Sequence, residues 1–434
     1  MDPHAAIWEH CLEPAGLSDI GLRRSNNQDS LAIMLASSQE NWEQRGHLFV
    51  VADGMGAHAA GELASKLATD IVPLTYGKLL DRDPPEALLA AVRDANAQIH
   101  SRGTANDDFR GMGTTVSVLA LTPLGAFVGH VGDSRVYRVR GARLEQLTFD
   151  HSLVWELRAA RHGPHETDPF FIPKNIITRS LGPNPQVQVD IEGPLPIETG
   201  DTYLLCSDGL SGQVRDDEIG GVLLALPPKE AVRALVDLAN LRGGPDNITV
   251  IVVKVLGPQI ARDKASAPAK VGRPFRRPPV HPAVWSTLGV LALSAAVLVT
   301  VRQQIAAAAA LIGAIGAGVF ALLQKFGGGA SHGAARQRLG RGPYVVCDCT
   351  PDPAFPARLA EMDRQLRDAA ANADWAIDWD LFCQHESRAA AAVREGSFLE
   401  ATREYCRAIS CMMEQLRHQS NRKQGADRGS SKVP

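Results

Sequence analysis

The chain has 434 residues, 45% of them hydrophobic and 21% charged, with a formal net charge of -3. That length exceeds what a single hydrophobic core serves, and the near-neutral balance offers no basic excess for a nucleic-acid partner. Seven scattered cysteines (Cys11, Cys206, Cys347, Cys349, Cys383, Cys406, Cys411) do not read as a disulfide framework and fit a reducing compartment. The first residues carry Asp2, Glu9 and Glu13 with no basic stretch leading into an apolar run, so no secretory signal is expected.

Along residues 1–257, short β-branched runs at 48–52, 115–121, 126–131, 202–206 and 248–255 predict strands. Helical spacing recurs at Leu63, Leu67 and Ile71 and again at Leu88, Val92, Ala95 and Ile99. Gly125 and Gly141 fall in hairpin-length gaps, so antiparallel sheets covered by a few helices are expected, an α+β class. A linker over 258–282 is rich in Pro and sets Arg262, Lys264, Lys270, Arg273, Arg276 and Arg277 against Asp263 alone.

Residues 283–301 and 305–324 contain no charge, and each run is long enough to span a bilayer. Gly313, Gly316 and Gly318 would allow close helix packing in lipid. The basic linker on one side, and Lys325, Arg336, Arg338 and Arg341 on the other, predict a membrane hairpin over 283–324 with both ends in the cytoplasm. Arg302 in so short an outer turn leaves a single span open, and a buried hairpin of a soluble protein is the non-membrane alternative. After a second linker, 325–343, three amphipathic patterns predict a small all-α domain over 344–418: Leu359, Met362 and Leu366; Trp375, Trp379, Phe382 and Val393; Phe398, Ala401, Tyr405, Ala408 and Met412. Residues 419–434 read as a disordered tail.

Three times an apolar strand runs into an Asp flanked by small residues, at Asp53-Gly54, Gly132-Asp133-Ser134 and Ser207-Asp208-Gly209. Asp246 precedes the strongest strand, and Asp29 follows the polar stretch Arg24-Ser25-Asn26-Asn27-Gln28. One Asp-Gly pair is most often a turn. Several carboxylates gathered at sheet ends would repel one another unless hard divalent cations neutralised them, and all-oxygen ligands suit Mg²⁺ or Mn²⁺. Two such ions can activate water for attack on phosphorus.

In order along about 17–254, these residues resemble the metal-dependent, type 2C serine/threonine protein phosphatases in their bacterial form. The shared elements include Asp53-Gly54-Met55-Gly56, Gly113-Thr114-Thr115, Val131-Gly132-Asp133-Ser134-Arg135, Asp150-His151-Ser152, Ser207-Asp208-Gly209 and Asp246-Asn247-Ile248-Thr249. The resemblance implies a four-layer sandwich of two antiparallel sheets flanked by helices, with two core Mn²⁺ or Mg²⁺ ions and a weaker third. Asp53 and the Gly54 carbonyl would hold the core ions with Asp208 and Asp246. Asp29 would contact water on the metal, Asp133 would serve the third ion, and Arg24 would grip the substrate phosphate. Phosphoserine and phosphothreonine proteins of the cytoplasm become the expected substrates, with serine/threonine kinases as opposing partners and membrane lipid around the anchor.

Gln28 stands where many members have Glu, and Ala57 replaces a usual Gly. The segment 151–175, a flap in relatives, carries Arg158, Arg161, His162, His165 and Lys174, which would favour acidic phosphosubstrates. Cys347, Cys349, Cys383 and His385 could together supply a zinc site, although their spacing matches no standard template. The alternative function is a non-catalytic phosphoprotein-binding scaffold with a C-terminal docking module.

Overall fold

The computed structural model describes residues 11–56, 59–160, 176–257, 260, 339–372, 375 and 377–430. The first half lays down β1 (Leu12–Asp19), β2 (Asp29–Met34), a short α1 (Gln39–Gln44), β3 (His47–Met55), α2 (Ala60–Lys78) and α3 (Pro84–Ala105). Next come β4 (Gly113–Thr114), β5 (Val116–Thr122), β6 (Gly125–Val131), β7 (Arg135–Arg140), β8 (Arg143–Gln146), α4 (Leu153–Ala160) and β9 (Asp190–Leu195). They are followed by β10 (Thr202–Cys206), α5 (Asp208–Ser211), α6 (Asp216–Ala225), α7 (Pro228–Leu241) and β11 (Ile248–Val255). The C-terminal part supplies β12 (Val345–Asp348), α8 (Ala354–Asn372), α9 (Trp379–Arg394) and α10 (Phe398–Ser430).

All strand pairs are antiparallel, in one sheet ordered β1-β11-β10-β7-β8-β12 and another ordered β2-β3-β5-β6-β9, with β4 paired to β3. Period-two alternation divides each apolar strand between two cores. In β11, Ile251 and Val253 face the second sheet beside Phe49, Leu119 and Tyr203. Val250 and Val252 face outward onto α6 and α7 with Leu235 and Ile219. In β3, Val50 and Ala52 meet α2 and α3 through Ala64, Ala68, Leu88 and Ile99. This is the expected four-layer arrangement. Gly125 and Gly141 take positive φ, +121° and +56°, at the turns the sequence marked.

Helix α2 differs from its sequence reading. Ala64, Ala68 and Val72 turn inward, while Leu63 and Leu67 are only half-buried. Small residues on the inner face let α2 lie close to β2 and β3, the strands that carry Asp29 and Asp53.

The C-terminal region departs most from expectation. Residues 344–418 are not a separate all-α domain, because Val345–Asp348 adds a strand to the edge of the first sheet beside β8. Leu359, Phe382, Tyr405 and Met412 then share one core with Leu223, Leu235 and Leu238 of α6 and α7. The described residues of the two parts fall in one compact unit. Amphipathic helices must bury their apolar stripe somewhere, and here α6 and α7 provide the surface. The expected linker ends in docked residues, since Leu339 bridges Gly193 in β9. The tail is not wholly irregular either: α10 runs to Ser430, in keeping with the helix-favouring Arg422, Lys423, Gln424 and Ala426. Val393, expected on a buried face, is 38% exposed. The apolar segment 283–324 lies outside the described residues, and among those no helix is long and apolar enough to cross a membrane.

Candidate active site

The sandwich brings the expected carboxylates to one end of the sheets. Asp29 opens β2 and is paired in register with Asp53 of β3. Gly54 follows at a point where the backbones crowd: a Cβ there would lie 2.1 Å from the Gly61 carbonyl oxygen and 2.5 Å from that of Gln28. Its glycine is therefore demanded by packing against α2, a stronger reason than metal access alone. Asp133 lies just beyond β6, after Gly132 at φ +116°, where a Cβ would collide with Thr115. Asp208 begins α5 directly beyond β10, and Asp246 lies two residues before β11.

A cleft of about 520 Å³ opens at this end, lined by Arg24, Asp133, Asp208, Asp246, Arg135 and Trp155 among others. Arg24 donates through Nη2 to Asp246 Oδ2 at 2.7 Å, and Asp53 lies within electrostatic reach of Asp208. Asp29 accepts at Oδ2 from Ser207 Oγ, 2.7 Å away. One oxygen on each of Asp29, Asp133 and Asp208 is buried without any hydrogen-bond partner. Burial, and then the charges of Asp208 and Asp246, push Asp29 up to about 7. Burial and the neighbouring Asp208 and Asp150 do the same to Asp133, also to about 7. Asp53 is raised well above the carboxylate range by burial and then by Asp29, Asp208, Asp133 and Asp246. A group of acids that oppose one another's ionisation is a set of oxygen ligands short of positive charge. Among the described residues no three of these side chains already form a closed cation cage, and Asp246 turns to Arg24. The donor set, all hard oxygen and partly unpartnered, nevertheless suits Mn²⁺ or Mg²⁺.

Residues that the sequence reading quoted without assigning a role complete the site. Asn247 accepts from the Gln28 N–H through Oδ1 at 2.9 Å and donates through Nδ2 to the carbonyls of Ile20 and Asn26, pinning the loop that carries Arg24. Ser207 Oγ accepts the Thr249 N–H at 2.9 Å while donating to Asp29. Arg135 is clamped on Asp150 through Nε and Nη2 at 2.9 and 2.7 Å. His151 accepts the Gly132 N–H at Nδ1, 3.0 Å away, and meets Asp190 through Nε2 at 3.0 Å, so it steadies the backbone next to Asp133. The signal for all of them was their place inside the quoted motifs.

Of the other expected residues, Ala57 and the flap positions 161–175 lie outside the described residues. The zinc combination is not assembled: Cys347 and Cys349 lie on and just after β12, Cys383 is exposed on α9, and His385 pairs with Glu404 at 2.8 Å. Among the described residues no His/Cys/Asp/Glu group of three forms a metal site there.

Two antiparallel sheets between helical layers, with crowded acids and an arginine at one end, fit a metal-dependent phosphate-ester hydrolase. The chain belongs to the protein phosphatase 2C family, whose model matches residues 22–236. It is 37% identical over 249 residues to the protein phosphatase PhpP of Streptococcus pneumoniae, covering 56% of this chain and 98% of that protein. The structure of the Streptococcus agalactiae serine/threonine phosphatase is similar, with 36% identity, a TM-score of 0.51, and coverage of 56% of this chain and 99% of that one. The catalytic domain of the serine/threonine phosphatase PstP, solved with two manganese ions, is 35% identical with a TM-score of 0.46, over 57% of this chain and 99% of that one. The chain is accordingly a protein serine/threonine phosphatase of the 2C type.

Proposed function

We propose that this phosphatase removes phosphate from phosphoserine and phosphothreonine of cytoplasmic proteins, opposing serine/threonine kinases, while anchored to a membrane by residues 283–324. The observation that carries the chemistry is the cluster of buried, partly unpartnered carboxylates of which Asp133 and Asp208 share one cleft with Arg24. Asp53, the Gly54 carbonyl, Asp208 and Asp246 would hold two Mn²⁺ or Mg²⁺ ions, with Asp29 beside them and Asp133 serving a third. Bound there, the ions lower the pKa of water and polarise the phosphoryl group. Arg24, half-exposed at the cleft mouth, exchanges Asp246 for two oxygens of the substrate phosphate, a geometry that its planar fork matches. Ser207 and Asn247 keep Asp29 and the Arg24 loop in place during that exchange. The chain itself supplies no nucleophile in this scheme.

The anchor rests on two uncharged runs of spanning length and on basic flanks at both ends. With both flanks basic, the catalytic and C-terminal parts would lie on the cytoplasmic side. The test is phosphate release from a phosphothreonine peptide by the full chain in detergent. Activity is expected with Mn²⁺ or Mg²⁺ and is lost on chelation. Undiminished release after thorough chelation would overturn the metal reading, and recovery of the whole chain in a detergent-free soluble fraction would overturn the anchor.

A further inference from the structure

Residues 339–344, just before β12, pack against residues that back the cleft wall, and they lie outside the residues that the family model matches. Leu339 exchanges backbone hydrogen bonds with Gly193 of β9, at 3.0 and 3.1 Å. Six residues later the chain pairs with β8 along Val345–Asp348. The segment therefore crosses from the edge of one sheet to the edge of the other. Glu192, 3% exposed, sits at the crossing and accepts from the Gly342 N–H at 3.0 Å and from the Tyr344 hydroxyl at 2.6 Å. Gly340, at φ +76°, passes so close that a Cβ would lie 1.8 Å from the Glu192 carboxylate. A fit this tight fixes the strap in one place.

From Tyr344, contacts lead into the cleft by two routes. Its ring packs edge-on against Phe149 at 5.5 Å, Phe149 packs edge-on against Trp155 at 5.5 Å, and Arg135 lies over the Trp155 ring at 5.5 Å. Its N–H donates to the Gln146 carbonyl at 2.8 Å, while the Gln146 side chain donates to Asp150, the partner of Arg135. Trp155, Arg135 and Asp150 all line the cleft. We propose that Leu339–Asp348 is a strap that sets the cleft wall for protein substrates, with Tyr344 a positioning residue acting through Phe149 and Trp155. The wall faces whatever flanks the phosphorylated side chain, whereas the phosphate itself meets Arg24 and the acids. Loss of the Tyr344 ring should then weaken binding of a phosphopeptide and spare a small aryl phosphate.

This inference rests on the phosphatase reading, and full-length variants assayed on two substrates separate the two. Tyr344→Ala should raise KM for a phosphothreonine peptide roughly fivefold, the scale of one aromatic contact. Its kcat and KM for p-nitrophenyl phosphate should stay within about twofold of wild type on the same argument. Tyr344→Phe, which keeps the ring and loses only the hydroxyl on Glu192, should restore the peptide KM. In a Trp155→Ala background, Tyr344→Ala should add nothing further. Tyr344→Leu replaces Tyr344→Ala if the latter does not fold. An unchanged peptide KM, equal losses on both substrates, or a full additional loss in the Trp155→Ala background would overturn the proposal. If the wild-type chain released no phosphate from any substrate, the functional reading would fall; amide exchange would still test the strap, being faster across Leu153–Ala160 in Tyr344→Ala if the proposal holds and unchanged if it does not.

Discussion

Buried acids meet two different fates in this molecule. Where α8 and α10 pack on α6 and α7, each deeply buried carboxylate but one has a cationic partner. Asp237 takes Arg417 at 2.6 Å; Glu218 takes Arg242 at 2.6 Å and Arg358 at 3.1 Å; Glu404 takes Arg407 and His385, both at 2.8 Å. At and beneath the cleft, Asp29, Asp53, Asp133 and Asp208 crowd together, and Arg24 and Arg135 are engaged by Asp246 and Asp150. An interface resolves its charges within the protein, whereas this cleft leaves its acids to be balanced by bound protons or by a cation. Perturbed, unpaired acids in a cleft therefore mark function more reliably than buried acids as such.

The strongest way to break that contrast is to neutralise one acid on each side. Asp208→Asn should lower kcat/KM at least a hundredfold, about 3 kcal/mol of transition-state stabilisation. Its thermal midpoint in chelator should hold or rise, because a repelling charge has gone. A variant that loses stability and activity together would place Asp208 with the structural acids. On the interface side, Arg417→Ala leaves Asp237 buried without its partner and should cost about 2 kcal/mol in urea unfolding. Peptide turnover of the folded variant should be unaffected. A fall in turnover matching that of Asp208→Asn would erase the distinction between the two regions.

Asp363 in α8 is the exception that sharpens the comparison. It is 1% exposed, its Oδ1 has no hydrogen-bond partner, and burial pushes it up to about 7 despite Arg367 nearby. The folded protein thus holds a proton there that the unfolded chain releases near 4. Stability from this group is present at low pH and is lost as pH rises through about 4 to 7. Asp363→Asn should therefore gain about 1–2 kcal/mol over wild type at pH 8 and nothing at pH 4. Urea midpoints at the two pH values check it, and an equal gain at both would mean that the carboxyl is not protonated in the fold.

Much of the catalytic half was legible because its signals are local. Runs such as 202–206 and 248–255 are apolar on both faces, and their boundaries coincide with β10 and β11. Each site Asp sits at a strand end, where a short pattern shows it. Strand β1 escaped notice because Pro14, Gly16 and polar neighbours on an edge strand break the apolar run. Strand β7 carries Arg138 and Arg140, whose charges are spent on Glu145 and on Asp201. Neither pairing can be seen along the sequence. The three C-terminal helices were visible as amphipathic stripes, but a stripe does not say what covers it. Val345–Asp348 is too short to announce itself and becomes a strand only because the β8 edge is there to pair with.

The smallest effect tests how far a single added charge shifts the balance in the cleft. Gln28 is held mainly by its backbone: its N–H donates to Asn247 Oδ1 at 2.9 Å, and its carbonyl accepts from Ser65 Oγ at 2.5 Å and from the Gly54 N–H at 3.1 Å. The side chain donates through Nε2 to the Gly56 carbonyl at 3.3 Å and packs against Gly61, where a Cβ would lie 2.8 Å from Nε2. Gln28→Glu would leave the backbone bonds intact, replace that donor by an acceptor facing a carbonyl, and add a negative charge beside acids that already resist ionising. In chelator the variant should lose about 1 kcal/mol of stability. With Mn²⁺ the same charge is an asset: the half-saturating metal concentration should fall about threefold, and kcat should stay within roughly a factor of three. Titration of activity against Mn²⁺ reads both quantities. If Gln28→Glu changed kcat as strongly as Asp208→Asn, position 28 would belong among the reacting groups, and the division between acids that face the ions and residues that hold them in place would have to be redrawn.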